Sequence, residues 1–102
     1  MSTKLEGLEK RIGRIKRQLT ELGPMRPGSL TRQYRLPKEK KRPFYQISYT
    51  HRMRSRTEYV RPENLKIIRQ ETVNYRKFRK LIDQWIELAL EASRLRLKSE
   101  KK

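Results

Sequence analysis

The chain contains no cysteine, a single histidine and no long run of apolar residues. Without cysteine it can form neither a disulfide framework nor a thiolate metal site, so nothing indicates an oxidising compartment. No stretch approaches the ~20 apolar residues of a membrane span, and the first residues lack the apolar core of a secretory signal. We therefore expect a cytoplasmic protein that does not insert into a membrane.

Acidic residues are scarce as well. The 102 residues include 28 Lys and Arg but only 11 Asp and Glu, which gives a net charge of +17, and 33% of the chain is hydrophobic. The core must be small, and self-repulsion of this size works against compaction unless an anionic partner is present. The composition predicts one domain over residues 1–102 that binds a polyanion.

Groups that could perform catalysis are few. The only histidine, His51, lies in a predicted hairpin turn, where a solvated polar role is typical. No Ser-His-Asp set or Gly-rich phosphate loop occurs. Asp83, Glu87 and Glu91 are spaced four apart, which indicates a solvated acidic face beside neighbouring basic residues rather than a strip that holds a divalent metal. We expect a protein that is not an enzyme and needs no metal or cofactor.

The N-terminal segment has the spacing of an amphipathic helix. Thr3 and Glu6 fit a capping box, and Gly23-Pro24 is a typical helix exit, so the helix is predicted over residues 3–22. Apolar residues alternate at spacings of three and four along a coiled-coil seam. The seam consists of Leu5, Leu8, Ile12, Ile15, Leu19 and Leu22.

The middle of the chain, residues 30–60, alternates apolar and polar residues with the period of β-strands. Pro27-Gly28 suits a type II turn before it. The charged stretch 37–43 contains two prolines and is predicted to be a loop, and residues 51–54 form the turn of a hairpin. Strands are expected at 30–36, 44–50 and 55–60.

Residues 62–98 predict a long second helix. Pro62 suits its first position, Glu63 suits the positive end of the helix dipole, and apolar residues recur every seven. The predicted fold is therefore α+β: an N-terminal helix, a small three-stranded antiparallel sheet and a long C-terminal helix that packs antiparallel on the first. The excess length of the second helix leaves Leu88 and Leu95 needing cover, which favours a homodimer through the helix seams.

Three stretches, ELGPMRPGSLTRQYR, PFYQISYTHRMRSRTEYVRPENL and YRKFRKLIDQWIELALEASRLR, resemble a family of short bacterial and archaeal proteins of uncharacterised function. The resemblance covers residues 20–97, and its most specific marks are Pro27-Gly28-Ser29-Leu30 and the hairpin tyrosines Tyr45 and Tyr49. It implies a Tyr-rich hairpin followed by a long helix. Family members carry closely spaced cysteines before the hairpin, as if to hold a metal, whereas the loop RLPKEKKRP has none here. Members are often encoded near mobile genetic elements, which implies a role in DNA transactions.

The basic residues are concentrated in the predicted sheet. Residues 30–61 hold ten Lys and Arg but only Glu39 and Glu58 as acids, a net charge of +8 in 32 residues. Clustered cations bind phosphates, and the arginine fork can also contact guanine edges. A second basic patch, YRKFRK, lies in the predicted second helix at residues 75–80. The candidate nucleic-acid-binding residues are Arg32, Arg35, Lys40, Lys41, Arg42, Arg52, Arg54, Arg56, Arg61, Arg76, Lys77 and Lys80.

The strand period also predicts the two faces of the hairpin. Tyr45, Ile47 and Tyr49 share one face, which we expect to pack against a helix. The opposite, polar face holds Phe44, Gln46, Ser48 and Thr50, and we expect it to be joined by Arg54, Arg56 and Arg32 or Arg35 and to meet the ligand.

These features favour a nucleic-acid-binding protein that contacts phosphates through a basic β-hairpin. Duplex DNA is favoured over RNA because a short antiparallel sheet can enter a major groove. Two alternatives remain open: an RNA-binding component of a ribonucleoprotein, and a helical adaptor or oligomerisation subunit whose cations meet an acidic protein.

Overall fold

A computed structural model describes residues 3–36 and 38–100, apart from the side chains of residues 41, 99 and 100. The predicted fold class is confirmed: one helix, a three-stranded antiparallel sheet and a long second helix. The elements are α1 (Thr3–Glu21), β1 (Ser29–Leu36), β2 (Lys41–His51), β3 (Arg54–Val60), a 3₁₀ turn (Pro62–Asn64) and α2 (Leu65–Glu100). The chain divides into a sheet unit, Gly23–Arg76, and a helical unit formed by the residues up to Leu22 and from Lys77 onward.

The helical unit is an antiparallel pair of helices. Lys16 near the end of α1 lies 5.3 Å from the ring centroid of Trp85, whereas Lys4 at its start pairs with Glu91 at 3.4 Å. The predicted seam is buried because apolar side chains from both helices interlock along it. Its core consists of Leu8, Ile12, Ile15, Leu81, Leu88 and Ala92, with Leu5, Leu19, Leu22, Trp85 and Leu95 packed against it.

The prediction that Leu88 and Leu95 need cover from another chain is wrong. Leu88 is buried and Leu95 packs against the same core, because α1 lies over both. The exposed apolar residues of this part of α2 are instead Ile86, Leu90 and Leu97. Within the described residues, neither helix combines the length and the apolar character that crossing a membrane requires.

The sheet has the strand order β1-β2-β3, with both neighbouring pairs antiparallel. Ile47 on the central strand lies opposite Leu30 of β1 and Glu58 of β3. It is fully buried, and Val60 is buried on the same face. The predicted packing face, centred on Ile47, is therefore the buried face of the sheet, called the inner face below.

Strand β2 begins earlier than the sequence predicts. Residues 41–43 were expected in a loop, but Lys41 pairs with Leu36 and Pro43 pairs with Tyr34. Proline is tolerated here because β3 pairs with β2 only from Tyr45 onward, which leaves one edge of β2 at Pro43 without a strand partner.

The first turns of α2 lie over the inner face of the sheet. The Arg69 guanidinium lies 5.9 Å from the Tyr45 ring centroid, and the backbone N–H of Arg26 donates to the carbonyl of Glu71. Gly28 approaches the core so closely that a Cβ there would lie 2.7 Å from Cγ1 of Ile47. Its φ of +143° is positive as predicted but far from the ~+80° of a type II turn, so the glycine is required for the close approach.

Candidate nucleic-acid interface

The register of the sheet assigns every strand residue to one of two faces, because residues directly opposite each other share a face. Tyr45, Ile47 and Tyr49 mark the face that α2 covers, here called the inner face. The other, here called the outer face, carries Thr31, Gln33, Arg35, Phe44, Gln46, Ser48, Thr50, Ser55, Thr57 and Tyr59.

The predicted placement of Arg54 and Arg56 on the outer, polar face is wrong, and of the alternatives Arg32 and Arg35 the structure places Arg35 there. Arg56 lies opposite Tyr49, and Arg32 lies opposite Tyr45, so both belong to the inner face. Arg54 lies opposite His51 and shares that face. Arg35 alone of the four is on the outer face, where its guanidinium lies 5.0 Å from the ring centroid of Phe44. All four arginines are nevertheless exposed to solvent.

Apart from Arg35, the outer face is uncharged and rich in hydrogen-bonding groups. Hydroxyl groups pair across the strands, Ser48 with Thr57 at 3.0 Å and Thr50 with Ser55 at 2.9 Å. Each of these four hydroxyls forms one hydrogen bond within its pair. Its remaining capacity to donate or accept hydrogen bonds is available to a ligand on the outer face. The amides of Gln33 and Gln46 lie on the same face.

Basic residues gather at both turns of the sheet. Lys38 and Lys40 lie in the turn between β1 and β2, with Arg42 just after it, and all three are exposed. Lys41 belongs to β2, but its side chain lies outside the described residues. The turn between β2 and β3 consists of Arg52 and Met53, and Met53 is 97% exposed.

The Arg52–Met53 turn has a backbone conformation that side chains disfavour. The φ angles are +52° at Arg52 and +64° at Met53, the pattern of a two-residue type I′ turn. Asn-Gly is the usual choice at these positions, because residues with a larger side chain resist positive φ. The turn therefore exposes Arg52 to solvent in a backbone conformation that is energetically unfavourable for arginine.

A charged network occupies the inner face beside Tyr49. The Tyr49 hydroxyl donates to Glu58 at 2.6 Å, and Arg26 pairs with the same carboxylate at 2.9 Å while its guanidinium lies 5.4 Å from the Tyr49 ring centroid. The hydrogen bond from Tyr49, followed by the one from Arg26, lowers the pKa of Glu58. The same bond to Glu58 raises the pKa of Tyr49, because the charged carboxylate favours the protonated phenol.

Two open grooves flank α2 where it lies against the sheet. One, of about 520 Å³, is lined by Arg56 and Arg76 together with Tyr49 and Tyr75. The other, of about 360 Å³, is lined by Arg32 and Arg69, and both grooves share Gly28 and Arg76. The inner-face arginines are thus collected along α2 and offer anion contacts separate from the two turns.

Most of the cations whose side chains the structure describes in the sheet unit have no acidic partner within 4 Å. Among its described residues, the pair of Arg26 with Glu58 is the one ion pair within 4 Å. Arg61 is exposed just after β3, and Arg76 lines the grooves. Lys77 and Lys80 are exposed and belong to the helical unit.

The acidic strip of α2 and the single histidine show no sign of a metal site in the described part of the chain, where no group of three potential ligands occurs. Glu91 pairs with Lys4 of α1 rather than with the neighbouring Arg94. His51 ends β2 on an exposed stretch of the hairpin.

Sequence reasoning missed Arg26, Arg69 and Gln33 as parts of this surface. Gln33 could have been found, because its strand period already separates it from Leu30 on the inner face. Arg26 and Arg69 gave no local signal, since they act on Glu58 and Tyr45 from distant parts of the chain. No family model, curated protein or solved structure matches the chain, so the resemblance described above remains a prediction.

Proposed function

We propose that the protein binds nucleic acid, with duplex DNA as its preferred ligand, through the outer face and the two basic turns of the sheet unit. The observation that carries this proposal is the position of the unpaired cations. They lie at both ends of an uncovered polar sheet face, where phosphates on either side of a groove would meet them.

Charge supports an anionic ligand for this unit in particular. Gly23–Arg76 holds fourteen Lys and Arg but four Asp and Glu, a net charge of +10. Because one ion pair is formed among its described residues, most of these cations keep their attraction for phosphates. Such contacts release condensed counterions and supply affinity that does not depend on sequence.

The dimensions of the sheet support a DNA major groove. Three strands separated by about 4.8 Å give a sheet about 10 Å across, and the groove is about 12 Å wide. The two turns lie at opposite ends of β2, whose 11 residues extend about 36 Å, long enough to bring both turns near opposite phosphate backbones.

The chemistry of the outer face supports contact with base edges. A glutamine amide can bond adenine N6 and N7, and an arginine can bond guanine O6 and N7. Gln33, Gln46 and Arg35 present these groups on neighbouring strands. Threonine methyl groups at Thr31 and Thr57 are suited to contact with the methyl group of thymine.

A second candidate, single-stranded nucleic acid, is favoured by one specific observation. Tyr59 is 56% exposed on the outer face and lies diagonally from Phe44 on the neighbouring strand. Two aromatic rings on an open, basic sheet form a platform on which unpaired bases can stack.

The test compares the affinity of the full chain for duplex DNA, duplex RNA and single strands of the same sequence, by fluorescence anisotropy over a range of salt concentrations. Duplex DNA should bind tightest, because the deep and narrow major groove of A-form RNA does not admit a sheet. Equal affinity for duplex DNA and duplex RNA would exclude insertion into the groove. Preference for single strands, lost in Tyr59→Ala, would favour the stacking candidate.

A further inference from the structure

We infer that the helical unit is a homodimerisation surface, in which the outward stripe of α2 packs antiparallel against the same stripe of a second copy. The stripe consists of Ile86, Leu90, Ser93 and Leu97. Its three aliphatic side chains are 53%, 53% and 57% exposed, respectively.

The stripe forms a single face of α2. At 3.6 residues per turn, Leu90, Ser93 and Leu97 all lie within about 40° of Ile86 around the helix axis. Leu81, Leu88 and Ala92, which contact α1, lie roughly on the opposite side. Because α1 packs on that side, it cannot cover the stripe. Single exposed leucines are common on protein surfaces, but an aligned stripe at spacings of four, three and four is typical of a helix–helix interface.

A second copy fits the stripe because the stripe complements itself. When two α2 helices run antiparallel about a two-fold axis between residues 91 and 92, Ile86 faces Leu97 of the second copy. Leu90 then faces Ser93 of the second copy, so a large side chain meets a small one in each inner layer. A parallel pairing would instead place Ser93 against Ser93 and leave a gap beside two opposed leucines.

The charges beside the stripe favour the same orientation. Glu87 and Arg94 lie on one flank, and the antiparallel pairing brings Glu87 of each copy beside Arg94 of the other. Within the described part of the chain neither residue forms an ion pair, whereas the nearby Glu91 and Arg96 pair with Lys4 and Glu9 of α1. Two symmetric ion pairs contribute orientation more than affinity.

Sedimentation velocity of the full chain tests the dimer. At about 0.1 mM protein the wild type should be mainly dimeric even if the Kd is several micromolar. Leu90→Glu should raise the dimer Kd at least ten-fold while the helical circular dichroism signal stays unchanged, since Leu90 lies outside the core of the helical unit. Ile67→Glu is the matched control, because Ile67 is equally exposed on α2 but lies in the sheet unit. A monomeric wild type, or a dimer equally resistant to both changes, would overturn the inference.

Charge reversal and cross-linking test the orientation. Glu87→Arg alone and Arg94→Glu alone should each weaken the dimer, and the double variant should restore it. Because the chain has no cysteine, an introduced cysteine can form a disulfide only with another introduced cysteine. A mixture of Leu90→Cys and Ser93→Cys chains should form a disulfide between the two variants, whereas Leu90→Cys alone should not. Efficient self-linking of Leu90→Cys would instead establish a parallel pairing and overturn the antiparallel one.

Discussion

Tyr49 and Glu58 lie on neighbouring strands and control each other's ionisation through a 2.6 Å hydrogen bond. The bond keeps Glu58 charged in the folded protein at a pH where the unfolded chain would already bind a proton. The stabilisation it provides is complete above the ordinary value of 4.5 and is lost as the pH falls through the lowered pKa of the folded state. The inner-face network should therefore weaken in acid.

The first prediction is that Tyr49→Phe raises the pKa of Glu58 toward 4.5, because the largest cause of the lowering is removed. The side-chain carboxyl carbon shift of Glu58, followed by NMR through the acid range, measures this. Tyr59→Phe removes a tyrosine hydroxyl from the outer face and should leave the titration of Glu58 unchanged. An identical titration curve in Tyr49→Phe and wild type would show that the hydrogen bond does not form in solution.

Gly28 provides a second prediction. Gly28→Ala should destabilise the protein by about 1–3 kcal/mol, because the new Cβ meets Ile47 at 2.7 Å and the positive φ is strained for alanine. Gly7→Ala is the matched control: nothing lies within 4 Å of its Cβ, and alanine in a helix interior should stabilise by about 0.5–1 kcal/mol. Urea unfolding of both variants measures the difference. Equal stability of Gly28→Ala and wild type would mean that the close approach to Ile47 is absent.

The third prediction concerns the phosphate contacts of the two basic turns. Changing the turn cations Lys40, Arg42 and Arg52 together to Ala should weaken DNA binding and reduce the log–log salt slope by roughly three units, about 0.9 per contact. The matched control changes three exposed arginines of α1, Arg11, Arg14 and Arg17, to Ala and removes the same charge from the helical unit. Equal losses in the two triple variants would show that binding is diffuse attraction to a basic protein.

Base reading provides the fourth prediction. Arg35→Ala should reduce the binding free energy for a preferred DNA site by about 1–3 kcal/mol and relax the preference for guanine at one position. The dependence of affinity on salt concentration should change little. Selection of binding sites from a random duplex pool, repeated with the variant, measures the preference. A uniform loss across all sequences would assign Arg35 to a phosphate instead.

The fifth prediction uses the strain at the hairpin tip. Replacing Arg52-Met53 by Asn-Gly should stabilise the protein by about 1 kcal/mol, because these residues adopt positive φ at low cost. The same change should lower DNA affinity by one phosphate contact. Thermal unfolding and anisotropy on one sample measure both effects. A variant that gains stability without losing affinity would show that Arg52 does not touch the ligand.

The helices and the central strand could be predicted from the sequence because each has its own local period. The 3.6-residue repeat of a helix is enough to predict that Ile12 lies on the buried seam, and the alternation of a strand is enough to predict that Ile47 is buried. The start of β2 could not be predicted in the same way. Pro43 and its charged neighbours have loop character, and their pairing with β1 depends on which edge of β2 is left open by β3.

The faces of β3 were missed for a different reason. Its local alternation favours Thr57 and Tyr59 as the inward set and Glu58 as an outward residue. The register reverses this, and Glu58 faces inward because Arg26 and Tyr49 satisfy its charge there. Those partners lie on another strand and on the segment before β1. The sequence of β3 alone therefore does not predict which face Glu58 occupies.

The two-residue turn at Arg52–Met53 also limits how the hairpin can change in length. Side chains alternate between the two faces of a strand. A residue beyond the turn therefore stays on its face only if an even number of residues is inserted before it. One residue inserted between Met53 and Glu58 would turn Glu58 and Val60 away from α2, unless a β-bulge set the extra residue aside. Insertion of two residues would preserve both faces and lengthen the basic tip. Length variation among natural relatives of this hairpin should therefore proceed in steps of two residues.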